Sequence, residues 1–569
     1  MLPIGWAAAG ADPPRAAAPK DVTKEEAIRS RRVRRLVESF MRTFRVSRRQ
    51  RRALLQECGI LACMSHDYLE RILKARVYDV AIATPLDAAP RLSRRLGNSI
   101  LFKREDLQPV FSFKIRGAYN KIAHLSDTAA KRGVICASAG NHAQGVALAA
   151  KRRGIPATIV MPQTTPQIKV QAVLDHGAEV VLHGDDYDQA YEHAMKVMGE
   201  RQLAFIHPFD DPDVIAGQGT IGMELLRQCA GEQIDAIFVA VGGGGLIAGV
   251  AAYVKYLFPK IKIIGVEPDD ADAMYKSMQA GKRVTLDRVG IFADGVAVRR
   301  VGEETFRLVR EYVDEIILVS TDEICAAMQD IFEENRTIVE PSGALSVAGI
   351  KRYVQREQCR DRTFISINCG ANVNFDRLRH VAERADIGGQ REALISVEIP
   401  EAKGSFLRFC ETLGRRSITE FNYRYSDTTS AQLFVGLGLS DGRREKEATI
   451  KSLKDTGYTV HDMSDNEVAK LHVRYMIGGH ARGLDNERLF RFEFPERPGA
   501  LLKFLNAIGT RWNITLFHYR NHGSDYGRVL VGVQIPPSES TEFDLHVREL
   551  KYVYAEETEN SAYKMFLGG

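Results

Sequence analysis

Eight short apolar runs recur between about residues 77 and 390: SILFKRE, GVICAS, ATIVMP, AEVVLHG, AIFVAV, IKIIGVE, EIILVS and TFISIN. Helix-patterned stretches separate them, such as NHAQGVALAAKRRG after GVICAS. Strand–helix alternation of this kind implies a parallel sheet covered on both faces. In open sheets of that class, ligands bind beyond the C-terminal strand ends. The motifs that carry chemistry all fall at such ends. The longest uncharged run, Ala236 to Val254, has 19 residues, the length of a membrane-spanning helix. Four consecutive glycines interrupt it, each costing about 1 kcal/mol in a helix interior. Its first half is β-branched and its second half Ala-rich, so it reads as a buried strand, a glycine loop and a helix, with no membrane span.

The pattern changes after about residue 390, where a repeat begins. Glu398-Ile399-Pro400-Glu401 with Gly404 recurs as Glu493-Phe494-Pro495-Glu496 with Gly499. Ile418-Thr419, Phe421, Tyr423 and Arg424 recur as Ile514-Thr515, Phe517, Tyr519 and Arg520. Each copy reads as a βαββ unit, so two similar α+β modules follow the first body. The expected division is a basic extension over 1–66, a catalytic domain over 67–390, and modules over 391–480 and 481–569.

Charge is distributed unevenly. Residues 1–52 hold 12 Arg and 2 Lys against 5 acids, a net +9, which leaves −4 on the other 517 residues of a chain whose total is +5. A body-wide cationic face for nucleic acid is therefore excluded. The Arg-rich start resembles an organelle transit peptide, which would place the protein in a mitochondrion or another organelle. Glu25, Glu26 and Glu38 favour the alternative, a basic extension on a cytoplasmic protein. The eight cysteines form no CxxC pair and no Cys/His cluster at zinc spacing, so free thiols in a reducing compartment are expected, and no metal site.

Three motifs carry chemistry. Lys114 lies in Ser112-Phe113-Lys114-Ile115-Arg116-Gly117, with apolar and small neighbours. Desolvation disfavours an ammonium and makes such a lysine a nucleophile and base able to form Schiff bases. Ser138-Ala139-Gly140-Asn141-His142 follows a strand and opens an Ala-rich helix, which would aim backbone N–H groups at a carboxylate. A capped tight turn reads the same residues, and His142 alone fits a structural role equally. Gly242-Gly243-Gly244-Gly245-Leu246 lies between a buried strand and a helix and would wrap a single phosphate. It lacks GxGxxG spacing and the GK[ST] of a Walker loop, so ATP does not fit. A lysine, an anion loop and a phosphate cup on one sheet edge suit pyridoxal 5′-phosphate (PLP).

The motifs KREDLQPVFSFKIRGAYNK, SAGNHAQGVA, HPFDDPDVIAGQGT, VGGGGL, FADGVAV, EPSGA and CGANVNFDRLR stand in the order found in biosynthetic threonine dehydratases (threonine ammonia-lyases), and residues from about 66 to 569 resemble that family. The resemblance implies an α/β catalytic body of PLP fold type II, similar to the tryptophan synthase β chain, with two open subdomains and an α+β ACT-like double module behind it. It implies that Lys114, beside Phe113, holds PLP and takes the substrate Cα proton. Asn141 would bond the cofactor 3′-oxygen. Ser138, Ala139, Gly140, Asn141 and His142 would receive the substrate carboxylate. Gly242, Gly243, Gly244, Gly245 and Leu246 would bind the phosphate. Cys369 stands where a Ser usually meets the pyridine nitrogen; a thiol is a weak donor and leaves that nitrogen unprotonated, which suits direct β-elimination. Asp294 and Glu340 to Ala344 border the site by family position, without assigned roles.

The resemblance further implies L-threonine as substrate, 2-oxobutanoate and ammonia as products, isoleucine as inhibitor of its own synthesis, valine as counter-effector and a homotetramer. L-Serine stays open as a second substrate, since one methyl is worth only about 1–3 kcal/mol. Serine racemase is the competing reading on this fold. It carries a Ser one residue before the Gly-Asn of its own motif, where this chain has Ala139, and its metal-ligating Asp is replaced by Ala273, although Glu267 and Ala271 match. A catabolic serine/threonine dehydratase would carry one module or none. An inactive amino-acid-binding regulator would lack Lys114 or the glycine loop.

Overall fold

The computed structural model describes residues 67–229, 233–400, 430–475, 485–495 and 526–567, with residues 409, 412–413, 418–424 and 512–520 between them. The leader reading falls on residues outside that set.

All eight apolar runs form strands, and their β-branched content suits strands buried on both faces. They divide between two sheets. The six-stranded sheet holds β1 (Leu86–Ala88), β2 (Ser99–Lys103), β7 (Ala236–Ala240), β8 (Lys262–Pro268), β9 (Glu315–Val319) and β10 (Thr363–Ile367), in the order β1-β2-β10-β7-β8-β9. Only β1 runs antiparallel to its neighbour. The four-stranded sheet holds β3 (Val134–Ala137), β4 (Ala157–Met161), β5 (Glu179–Leu182) and β6 (Ala204–Phe205), all parallel, in the order β5-β4-β3-β6. The single sheet edge expected for the three motifs is therefore corrected. Lys114 and the glycine loop follow strands of the larger sheet, and Ser138 follows β3 of the smaller. Strand β1 (LDA) and the two-residue β6 have no apolar run to mark them and were not legible.

The modules are each one strand longer than the βαββ expected. In the first, β11 (Glu392–Pro400), β12 (Ile418–Arg424), β13 (Ser430–Gly438) and β14 (Thr459–Asp462) pair in the order β12-β13-β11-β14, with helix Gly442–Asp455 before β14. In the second, β15 (Glu487–Pro495), β16 (Asn513–Arg520), β17 (Tyr526–Gln534) and β18 (Val553–Glu556) repeat that order. The fourth strands are short and polar (TVHD and VYAE) and form because the first strand of each module leaves a free edge. The two modules share a core in which Leu394, Phe434 and Val468 meet Leu489, Leu530 and Tyr563.

Helix α1 (Lys114–Ala123) carries the lysine, and a buried ion network fixes it. The Arg116 guanidinium reaches Glu105 (Nε to Oε2 2.8 Å, Nη2 to Oε1 2.7 Å) and Glu224 (Nη1 to Oε1 2.6 Å). Its remaining N–H groups reach Thr220 Oγ1 and the Ile82 carbonyl. Lys103 adds its ammonium to Glu224 at 2.6 Å. Two cations and two carboxylates thus join the end of β2, α1 and helix α3 (Pro212–Gln228). Helix α2 (Asn141–Arg153) crosses the start of α1 so closely that a Cβ at Gly145 would lie 3.3 Å from the Ile115 nitrogen.

Breaking one member of a buried ion cluster leaves an uncompensated charge, at a cost of about 3–5 kcal/mol. Glu224→Ala is expected to lower stability by that much in denaturant unfolding. The double variant Glu224→Ala, Lys103→Met removes one charge of each sign and should recover at least about 1 kcal/mol; recovery of nothing would contradict the network.

Candidate active site

The chain enters the site through an unusual turn. Phe111 has a φ of 53°, in the left-handed region that bulky residues rarely adopt. Its N–H donates to the Gln108 carbonyl (2.7 Å) and its carbonyl accepts from Ala371 N (2.8 Å). The turn lays Ser112 against Gly370 and the Phe113 N–H on the Cys369 carbonyl (3.2 Å), just past the C-terminal end of β10. Lys114 follows as the first residue of α1. Its Nζ has no hydrogen-bond partner among the described residues. Burial lowers its pKa, opposed by the carboxylates of Glu340 and Asp294.

Asn141 and His142 open α2, whose N-terminus carries no side-chain cap. Ser138, Ala139 and Gly140 before it are partly exposed, and a Cβ at Gly140 would meet nothing within 4 Å. The first-turn amides of α2 are thus left for an anion. The Asn141 side chain is held at both ends: Nδ2 donates to Glu340 Oε1 (2.7 Å) and Oδ1 accepts from Asn372 Nδ2 (2.7 Å). One amide hydrogen of Nδ2 remains. His142 turns away into the core, with Nε2 2.8 Å from the Ile206 carbonyl. Burial pushes its pKa down to about 3, so the ring is neutral and contributes only its backbone to the loop.

The glycine loop between β7 and helix α4 (Gly245–Leu257) is glycine-rich for steric reasons. Gly244 has a φ of 97°. A Cβ at Gly242 would lie 2.8 Å from Val296 Cα, and one at Gly243 would overlap the Phe209 ring. The loop is pinned from behind: Thr305 Oγ1 and Gly302 N donate to the Gly243 carbonyl (2.6 and 3.3 Å). Asp210 in turn caps the helix Glu303–Tyr312 by accepting from the backbone of Glu303, Glu304 and Thr305. The first turn of α4 has no side-chain cap either, so its N–H groups are open to a phosphate. Phe209, Asp210 and Thr305 escaped sequence reasoning; HPFDDPD carried a signal only through family likeness.

Glu340 and Cys369 complete the ring. Burial, with Asp294 nearby, pushes the Glu340 carboxyl up to about 7 despite the Asn141 hydrogen bond and Lys114. The Cys369 thiol donates to the Ser342 carbonyl at 3.3 Å, and burial raises its pKa well above the usual thiol range. Ser342 Oγ is buried with no partner among the described residues. An unpartnered lysine, an orphaned hydroxyl, an open Gly140 and two uncapped helix N-termini fit PLP, which needs an amine, a phosphate cradle and polar contacts to its ring. Glu267, at the racemase metal position, instead accepts from Met274 N (3.0 Å) and Tyr275 N (2.8 Å).

Fold and site together define a PLP-dependent enzyme with a regulatory appendage. The family model described as pyridoxal-phosphate dependent enzyme matches residues 77–370, and that of the C-terminal regulatory domain of threonine dehydratase matches twice, over 383–473 and 478–567. The biosynthetic L-threonine dehydratase of Burkholderia multivorans is 57% identical over 88% of this chain and 99% of its own. The mitochondrial threonine dehydratase of Saccharomyces cerevisiae is 50% identical over 88% of this chain and 89% of its own. The solved structure of the processed form of threonine deaminase isoform 2 from Solanum lycopersicum is 50% identical, with a TM-score of 0.56 over 57% of this chain and 89% of that one. The chain belongs to the biosynthetic threonine dehydratases.

Glu340 yields a pH test. A carboxyl whose folded pKa is raised destabilises the folded state as pH climbs from its usual range through about 7. Glu340→Gln should therefore stabilise the cofactor-free chain at pH 8 by about 3 kcal/mol, with the gain shrinking toward pH 4.5. It should also weaken PLP binding about tenfold by loosening Asn141. A gain equal at both pH values would contradict a buried, ionised Glu340.

Proposed function

We propose that this chain eliminates water from L-threonine and, with one water added back on hydrolysis, releases 2-oxobutanoate and ammonia, with PLP held at Lys114, and that isoleucine restrains it through the double module. Lys114 carries this reading: an amine desolvated and without a hydrogen-bond partner among the described residues, on a helix that buried ion pairs hold in place. When bound, PLP supplies an electron sink for the charge left on Cα. The first-turn amides of α2, reached through Ser138, Ala139 and Gly140, bind the substrate carboxylate. Asn141, oriented by Glu340 and Asn372, meets the cofactor ring oxygen. The Gly242–Leu246 backbone holds the phosphate.

Once the substrate amine has taken its place, Lys114 would be a free neutral amine able to take the Cα proton, in keeping with its lowered pKa. The Cys369 proton is directed to the Ser342 carbonyl, so this residue does not protonate the pyridine nitrogen, and loss of the β-hydroxyl is favoured over reversible proton exchange. Ala139 offers no proton on the opposite side, which disfavours racemisation. The released enamine tautomerises and hydrolyses in water. L-Serine fits the same groups.

The finer points of domain limits (1–66, 67–390, 391–480, 481–569), homotetrameric assembly, valine as counter-effector and an organelle address in the extension over residues 1–66 belong to this reading, the address in keeping with the mitochondrial relative.

A 2-oxo-acid assay with PLP and L-threonine, with and without isoleucine, tests it. Turnover suppressed by isoleucine is expected, with L-serine turned over more slowly. Lys114→Ala should remove turnover and the visible absorbance of lysine-bound cofactor together. A wild type inert toward L-threonine sinks the reading; one indifferent to isoleucine sinks its regulatory half.

A further inference from the structure

Asp294 lies outside the motifs given roles above, yet it sits where three parts of the chain meet. It opens the short turn Asp294–Val296. Val296 packs against the glycine loop at Gly242, and a Cβ at Gly295 would press on Ser342 Oγ and lie 3.2 Å from Glu340 Oε1. The turn is thus wedged among the site's own groups. The Asp294 carboxylate reaches outward in two directions. Oδ2 meets Lys169 Nζ at 2.9 Å, and Oδ1 meets Arg377 Nη1 at 3.1 Å. Arg377 also donates to the Phe292 carbonyl at 3.1 Å. Burial would raise the Asp294 carboxyl, but the two cations hold it below the usual range.

The two partners belong to different bodies. Lys169 is on helix Gln167–Leu174, which follows β4 in the smaller sheet. Strand β4 pairs with β3, and the Ser138 N–H donates to the Val160 carbonyl at 3.1 Å, so this helix follows the strand that flanks the carboxylate loop. Arg377 is the first residue of helix α5 (Arg377–Gly388), which leads into β11 and the first module. Seven residues on, about 10 Å along the same face, Arg384 makes a second set of ion pairs. It pairs with Asp322, in the first turn of the catalytic-body helix Thr321–Asn335, and with Glu467 (2.7 and 3.0 Å), on helix Glu467–Leu471 of the first module. Lys470 closes this group on Asp322 (2.6 Å) and Glu467 (2.7 Å). One helix therefore holds the site at one end and the module at the other.

We propose that Asp294 is a positioning residue for the elimination, tying the carboxylate-loop side of the cleft to the glycine-loop side through Lys169, and that Arg377 makes this tie the point where the first module acts on the site. The second half rests on the regulatory reading above. A module that shifts α5 moves Arg377 against Asp294, and an effector favouring one placement changes substrate affinity through that contact.

The test uses the full chain loaded with PLP. Asp294→Asn should raise KM for L-threonine tenfold or more, with kcat changed less than threefold and the cofactor absorbance unchanged. Arg377→Met should move the isoleucine concentration for half-inhibition at least fivefold, and Arg377→Lys should restore it to within twofold. Glu467→Gln should move the isoleucine response and leave KM and kcat alone. If Asp294→Asn fails to fold, Lys169→Met is expected to give the same KM rise. Unchanged KM in whichever of these two variants folds overturns the tie. An isoleucine response untouched by Arg377→Met overturns the coupling. A wild type that ignores isoleucine overturns the regulatory reading and with it the coupling, and leaves the tie to be judged on KM.

Discussion

The Arg116 guanidinium enters a region without solvent carrying a charge that would be prohibitive to bury alone. It is held there because Glu105 and Glu224 each present a carboxylate to it, with Lys103 as the second cation and Thr220 and Ile82 taking the remaining N–H groups. The geometry of that fork leaves little freedom to β2, α1 or α3. Gly117 and Gly217 extend the constraint: a Cβ at Gly217 would lie 2.6 Å from Gly117 Cα, so the two helices touch along their backbones. Lys114, two residues before Arg116, is therefore positioned by groups that never touch it. Its own amine can then stay without a hydrogen-bond partner among the described residues.

The site itself runs the other way. Among the described residues the Lys114 amine has no hydrogen-bond partner and the buried Ser342 hydroxyl has none, burial raises the Glu340 carboxyl, and His142 is forced to its neutral form. Each opposes folding to some degree. The proposed cofactor and substrate carboxylate would meet these groups. The satisfied network around Arg116 and the unsatisfied ring around Lys114 adjoin on one helix, the first giving rigidity and the second leaving groups free for chemistry.

The two modules show how a repeat becomes one body. Asn466 and Asn560 occupy equivalent places before short helices, each capping its own, and the Asn466 amide also donates to Asn560 Oδ1 (3.3 Å). Ile387 of α5 packs into the same shared core, so the helix that begins at the site ends inside the regulatory pair.

Eight strands of the catalytic body, the lysine, the two glycine-containing loops at strand ends and the doubling of the C-terminal part were legible along the chain. These depend on local chemistry: β-branched runs, a lysine among small and apolar residues, glycines at a strand end, residues recurring in order. The sequence did not reveal that Ser138 and Gly242 lie on different sheets, because apolar runs look alike whichever neighbours they pair with. It could not place β1, β6 or the fourth strand of each module, which exist because a neighbouring edge needs hydrogen bonds. The neutral inward turn of His142, the hold of Glu340 on Asn141 and the meeting of Lys169, Asp294 and Arg377 were decided by tertiary structure alone. Burial and proximity set the charge and partners of those groups, and neither is written in the spacing along the chain.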